Sequence, residues 1–240
     1  MLVRNWMCHT PITVSPDASL QEAVVLLRKH NIHMLPVIED ARLAGVITDL
    51  DIKRAAASEI FSLEDPELAK SISRIKVRAL MNNKPITLAE DRTIEEAAAA
   101  FFVHSISGAP VVNQTGNVVG VITKNDIFRA VISLTGIKKK GVQFGLKLKD
   151  RPGAIKEITD LIRTHGGRIA SILSTGKGDE EVFFNVYIRA YGLDLPNRLR
   201  IKAALRDKAE LLYVVDHEEN TREIYSNPRS EKPTAPEGMQ

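Results

Sequence analysis

Two stretches carry residues whose types and spacing could do chemistry. They are Gly45-Val46-Ile47-Thr48-Asp49-Leu50-Asp51-Ile52 and Gly120-Val121-Ile122-Thr123-Lys124-Asn125-Asp126-Ile127. In each, an apolar run breaks at a threonine, and an aspartate follows three residues later. The β-branched run predicts a strand, and the pattern after it predicts a helix start. The hydroxyls of Thr48 and Thr123 and the carboxylates of Asp51 and Asp126 then stand at the mouth of a strand-to-helix turn. A carboxylate placed there can accept both protons of a diol, each charge-assisted bond contributing about 1.5–3 kcal/mol. The free N–H groups of the helix start suit a phosphate. Arg54 and Arg129, one turn further along, could complete its cradle. The same Thr-x-x-Asp spacing is also a capping motif that needs no ligand and contributes about 1 kcal/mol. After the threonine the copies differ, Asp49 in the first and Lys124 in the second, so the second mouth is expected to favour phosphate more.

The elements that must position these groups are also written twice. Thr10-Pro11-Ile12-Thr13-Val14 reads as an extended segment, because Pro11 pushes Thr10 out of the helical region. Ser19 is placed to cap a helix, with Glu22 as its reciprocal partner and Ala23, Leu26 and Leu27 at helical spacing. That helix is expected to end near His30-Asn31. Met34–Ile38 and Leu43–Ile47 flank a polar turn and read as a hairpin, with a second helix from Asp49. Residues 77–129 repeat the plan of residues 3–54. Val3-Arg4 matches Val77-Arg78, Met7 matches Met81, and Pro11-Ile12-Thr13 matches Pro85-Ile86-Thr87. Glu22-Ala23 matches Glu96-Ala97, and Pro36-Val37 matches Pro110-Val111. The spacing between partners is constant and slips by one residue in the second hairpin. This is an internal duplication, and each stretch reads as one unit.

Residues 58–76 form a connector, with a short helix entered at Glu64-Asp65-Pro66-Glu67. Lys138-Lys139-Lys140-Gly141 marks a boundary and reads as a solvated linker. Beyond it, Val142–Leu148 alternates like a half-buried strand, Asp150-Arg151-Pro152-Gly153 makes a turn, and Ala154, Ile155, Ile158, Leu161 and Ile162 form a helical stripe stopped by Gly166-Gly167. Strands over Arg168–Ser174 and Val182–Arg189 join across Gly176–Asp179, and a helix around Pro196–Arg206 precedes a last strand, Leu211–Val215. The order is β-α-β-β-α-β, the split arrangement of ferredoxin-like domains. Residues 218–240 read as a tail, disordered from about 226, where Pro228, Pro233 and Pro236 fall without an apolar cluster.

The totals narrow the function classes. With 240 residues the chain can bury two cores. Aromatics at 5% and a net charge of +3 from interspersed charges argue against a nucleic-acid binder. Cys8 is the single cysteine, which excludes an internal disulfide and a cysteine zinc site. No apolar run approaches the ~20 residues of a membrane span, and the start of the chain lacks the apolar core of a signal peptide. The chain is expected to be cytoplasmic. His30 and His33 lack evident partners for a metal pair, and Thr175-Gly176-Lys177-Gly178 lacks the long loop of a phosphate-binding Walker motif.

The duplicated half resembles a tandem pair of CBS domains, through Met7–Val14, Leu35-Pro36-Val37, Gly45–Asp51 and their second-copy partners. The following half resembles an ACT domain, through its element order and the Asp150-Arg151-Pro152-Gly153-Ala154 turn. The combination is similar to the AcuB family, associated by name with acetoin utilisation. These resemblances imply an α+β chain: CBS repeats at 1–57 and 77–137, a linker at 138–141 and an ACT domain at 142–217. They imply a non-catalytic homodimeric regulator of an unidentified protein, with AMP, ADP, ATP or S-adenosylmethionine as candidate ligands, no required cofactor and no metal. In that pattern the backbones of Ile12-Thr13 and Ile86-Thr87 meet the base, Asp51 and Asp126 the ribose diol, and Thr48 and Thr123 the phosphate or ribose; Arg54, Lys124 and Arg129 join the phosphate side by their charge and position alone. With Asp49 beside it, the first mouth is expected to prefer an uncharged adenosyl tail. The Asp150–Ala154 turn would offer N–H groups to an amino-acid carboxylate, or would simply join strand to helix. An enzyme of acetoin metabolism and a ligand-free interaction scaffold are the alternatives, the first without any nucleophile–base pair to support it.

Overall fold

The computed structural model describes residues 1–57, 74–176 and 182–225. The expected helix at Glu64–Glu67, most of the Gly176–Asp179 turn and the tail beyond 226 lie outside the described residues. The fold is mixed α and β, in two compact units, Met1–Ala130 and the chain from Val131 onward.

In the first unit each repeat is a helix, a hairpin and a second helix. Helix α1 (Leu20–His30) starts where Ser19 accepts a hydrogen bond from the Glu22 amide at 3.1 Å, buries Leu20, Ala23 and Leu27, and stops at Asn31 in the left-handed region. Strands β1 (Met34–Glu39) and β2 (Arg42–Thr48) pair antiparallel and run directly into α2 (Asp49–Ala57). In the second copy the short β3 (Leu88–Ala89) precedes α3 (Ile94–Val103), then β4 (Gly108–Val112), β5 (Val118–Thr123) and α4 (Lys124–Leu134). The full reciprocal capping box appears here, between Thr93 and Glu96, rather than at Ser19 and Glu22, where the Ser19 side chain accepts from Glu22.

The expectation that residues 3–54 and 77–129 are self-contained needs correcting, because the leading segments are exchanged. Val3 and Met7 lie in the core of the second repeat, with Ile94, Phe101 and Ile122. Val77 lies in the core of the first repeat, with Leu20, Leu35 and Ile47. Cys8 and Val121 exchange backbone hydrogen bonds of 2.9 and 3.0 Å, and Asn82 and Val46 exchange bonds of 2.8 and 3.0 Å. This pairing explains the repeated glycine. A Cβ at Gly120 would stand 2.6 Å from the Cys8 carbonyl oxygen, and one at Gly45 would stand 2.6 Å from that of Asn82. No side chain fits where a crossing backbone passes so close.

The second unit is a five-stranded antiparallel sheet in the order β10-β9-β6-β8-β7. Its strands are β6 (Val142–Lys149), β7 (Arg168–Thr175), β8 (Phe183–Tyr191), β9 (Glu210–Asp216) and β10 (Thr221–Ile224). Helices α5 (Ala154–Thr164) and α6 (Leu195–Lys208) supply Ile158, Ile162, Ile201 and Leu205 to a core shared with Phe144, Leu146, Val186 and Ile188. Two boundaries differ from expectation. The compact unit begins before the lysine cluster, since Ser171 and Arg189 both donate to the Thr135 carbonyl and bind that stretch to the sheet. The chain after residue 217 is not all tail, because Asp216 accepts from the Glu218 and Glu219 amides and turns the chain back into β10. Lys202 of α6 then pairs with Glu223.

Gly120→Ala should cost the first unit about 2 kcal/mol by overpacking against Cys8, read as a lower urea midpoint. In the second unit, Arg198 and Asp216 form a largely buried ion pair at 2.7 Å. Burial alone would push the Asp216 carboxyl up. The Glu219 and Glu218 amides and Arg198 outweigh it and hold the carboxyl below its ordinary value of 3.8. A depressed folded value means that this contribution is present above 3.8 and is lost as pH falls through the lowered value. Acid titration followed by circular dichroism should show stability falling in that window, and Asp216→Asn should flatten the fall.

Candidate functional site

Each mouth is built at a junction with no intervening residue, Thr48 ending β2 and Asp49 opening α2, Thr123 ending β5 and Lys124 opening α4. In the first copy, Asp51 Oδ2 accepts from the Thr48 amide at 2.9 Å and the Thr48 hydroxyl at 2.6 Å, while the Asp51 amide donates to Thr48 Oγ1 at 3.2 Å. In the second, Asp126 Oδ2 accepts from the Thr123 amide and hydroxyl, both at 2.7 Å. Threonine and aspartate are therefore brought together as expected, in a geometry that caps the helix.

The two copies then diverge. The other oxygen of Asp126 is taken by Arg129, and Asp126 is only 8% exposed. Arg129 was expected to face a phosphate, but here its guanidinium is turned onto the carboxylate one turn below. Asp51 stays half-buried, with Arg54 exposed on the same helix. The expected charge contrast is also softened. Asp49 accepts from Lys53 at 2.9 Å and lies 3.3 Å from His33 Nδ1, whereas Lys124 is exposed. Partial burial pushes Asp49 up, but the bonds to Lys53 and His33 prevail and leave it below its ordinary value.

The extended segments reach the same end of the sheet as the threonines. Val14 runs parallel to β1 and pairs with Val37, so Ile12 and Thr13 lie toward the Met34–Thr48 end. Leu88 pairs parallel with Val111, so Ile86 and Thr87 lie toward Gly108 and Thr123. Ile86, Thr13 and Thr87 are exposed.

The His33–Asp49–Lys53 cluster was missed in the sequence. It borders a pocket of about 200 Å³ floored by Val24, Leu27, Ile32 and Ile52. The one available signal was the i, i+4 spacing of Asp49 and Lys53 on a helix. His33 comes from a separate element, so only folding joins it to them. Among the described residues, no group of three or more His, Cys, Asp or Glu could hold a metal ion.

In the second unit the Asp150–Ala154 turn is partly committed. The Asp150 amide donates to the Val182 carbonyl at 2.7 Å and the Ala154 amide to Arg151 at 3.2 Å. Arg151, itself exposed, makes a two-pronged pair with Glu157 at 2.7 and 2.8 Å. Pro152 has no N–H, and Gly153, with φ of 85° and open space at its Cβ position, is the approachable residue.

The family model for the CBS domain matches residues 3–58 and 77–133. An uncharacterized protein of Methanocaldococcus jannaschii is 30% identical over 155 residues, covering 55% of this chain and 92% of that protein. The chain belongs to the CBS domain family. An enzyme is also among the relatives: L-aspartate semialdehyde sulfurtransferase of M. jannaschii is 33% identical over 129 residues, covering 53% of this chain and only 23% of that protein. Among solved structures, the CBS domain pair of protein MJ0100, in complex with 5'-methylthioadenosine and S-adenosyl-L-methionine, is 32% identical with a TM-score of 0.47. It covers 55% of this chain and 95% of that one. CBSX2 in complex with AMP is 26% identical with a TM-score of 0.46, covering 55% of this chain and 96% of that one.

The unequal mouths of the CBS pair lead to unequal costs. Asp126→Ala removes a buried cap and an ion-pair partner and should cost about 2–3 kcal/mol, against about 1 for Asp51→Ala. Chemical denaturation of the two variants side by side measures the difference.

Proposed function

We infer that the CBS pair is a non-catalytic sensor of an adenosyl compound, AMP, ADP, ATP or S-adenosylmethionine. The observation that carries this reading is the doubled junction at which a Thr–Asp pair and an extended segment converge on one end of a sheet. The base would lie along the backbone of Ile12-Thr13 or Ile86-Thr87, with the diol on Asp51 or Asp126. The ligands named for MJ0100 and CBSX2 set the panel to be tested. The first mouth is the more open, since one oxygen of Asp51 already suffices for the cap. Occupation of the second requires Arg129 to leave Asp126. Its side chain is 67% exposed, which makes that exchange inexpensive and leaves the arginine free to meet a phosphate.

The second unit is read as an ACT-type domain that takes an amino acid near Gly153, supported by its β-α-β-β-α-β order within the 4-1-3-2 arrangement of its first four strands. A homodimer is supported by the apolar face that α3 and α4 leave open, with Phe102 70% and Phe128 61% exposed. We place the chain in the cytoplasm, where it would act on an unidentified regulated protein, and acetoin utilisation is the setting proposed for it. No helix among the described residues is long and apolar enough to cross a membrane. A specific observation favours a second reading at the second mouth: with both Asp126 oxygens engaged, that copy serves as scaffold and only the first binds.

Titration calorimetry with AMP, ATP and S-adenosylmethionine tests both readings. Asp51→Glu is the sharper variant, because Asp126 is too buried to lengthen without loss of stability. The longer carboxylate retains charge and cap but misplaces the diol acceptor. Adenosyl binding should weaken at least tenfold with the melting temperature nearly unchanged. No heat from any of the three ligands with the unaltered chain would defeat the sensor reading.

A further inference from the structure

The lysine cluster at 138–140 is not absorbed by the CBS sites or by the turn at Gly153. In the structure it is not a free linker. The segment from Ile132 to Lys139 wraps a depression of about 310 Å³ against the β7–β8 edge, lined among others by Ile132, Ser133, Lys138, Lys139, Ile169 and Tyr191. That volume lies at the lower end of the range for small-molecule sites, about 300–1,000 Å³. Most of its lining side chains are apolar or aromatic and none is acidic. The Lys139 ammonium stands 5.4 Å from the centre of the Tyr191 ring, over its face.

The backbone that shapes this depression is held in place at a cost. Gly136, Lys140 and Gly141 all have positive φ, of 63°, 53° and 69°. Lys140, with ψ of −124°, sits where glycine is at ease and a lysine is strained. Such strain persists when the surroundings over-determine it, and it collects at functional sites. The surroundings here are specific. Arg189 is only 3% exposed and donates to the carbonyls of Thr135 at 2.9 Å and Lys140 at 3.4 Å and to Gln143 Oε1 at 2.6 Å. Ser171 adds a 2.8 Å bond to Thr135, and Gly136 packs so tightly that a Cβ would stand 2.9 Å from that of Ala170. A solvated linker needs none of these.

We propose that this depression is a binding site for a small organic anion, a phosphate or carboxylate on a flat aromatic body. Lys138, Lys139 and Ser133 receive the anionic head, and Tyr191 with Ile132 and Ile169 receives the ring. The site is distinct from the adenosyl mouths and stands whether or not they bind.

The test uses the full ¹⁵N-labelled chain titrated with phenyl phosphate, benzoate, phenol and inorganic phosphate, followed by amide shifts. Phenyl phosphate or benzoate should move the amides of Ser133, Lys138, Lys139, Ala170 and Tyr191. Affinity should fall at least tenfold in the Lys138→Gln/Lys139→Gln double variant, whose positions are exposed and tolerate the change. It should also fall at about 0.5 M salt, where screening lengths shrink to a few ångströms. Tyr191→Leu should remove the advantage of phenyl phosphate over inorganic phosphate. Phenol binding as tightly as phenyl phosphate would overturn the anion, inorganic phosphate doing so would overturn the ring, and undiminished binding to the double variant would overturn the location.

Discussion

The first unit depends on a crossing of backbones. The segment that precedes each repeat completes the core of the other, and it can do so only because Gly45 and Gly120 leave room for the carbonyls of Asn82 and Cys8. The backbone bonds of the crossing are ordinary in strength, but they come as reciprocal pairs beside fully buried Val3 and Val77. Neither repeat has a complete core without the other's leader. The two copies therefore behave as one folding unit, and the threonines at their sheet ends inherit a fixed frame.

On that frame the duplicated mouths are no longer equals. Both use one carboxylate oxygen to cap a helix. In the second copy a neighbouring arginine takes the remaining oxygen, while in the first the charged company gathers around Asp49 instead. Duplication supplies two scaffolds at once, and a few differing side chains then separate how each carboxylate is engaged. In both copies the cap fixes the position of the carboxylate relative to the helix start.

The second unit meets a different constraint. Its sheet has helices α5 and α6 on one face, and the buried guanidinium of Arg189 draws the incoming chain across the other. Its partners are neutral carbonyls and an amide oxygen, so the charge is solvated by dipoles and not by a counter-ion. Burial accordingly draws that guanidinium below its ordinary value. Moving those carbonyls would strand a charge away from water, which explains why a strained turn beside it endures.

Much was legible in the chain itself. The period-two runs, the caps at Ser19 and Thr93, the glycine stops and the repeat all lie in local sequence, and they placed the hairpins of the two repeats, the β-α-β-β-α-β elements up to β9 and the Thr–Asp pairs, but not β10, which reads as tail. What the sequence could not decide was every partnership between residues remote along the chain. Val3 with Phe101, His33 with Asp49 and Arg189 with Thr135 each join segments whose separate patterns are complete without the other, and Thr221–Ile224 becomes a strand only by pairing with β9. Local pattern sets which face a residue presents; the closing of loops in three dimensions sets what that face meets. The identity of the pieces was determined by sequence, and their exchange, their unequal mouths and the strained turn were determined by tertiary packing.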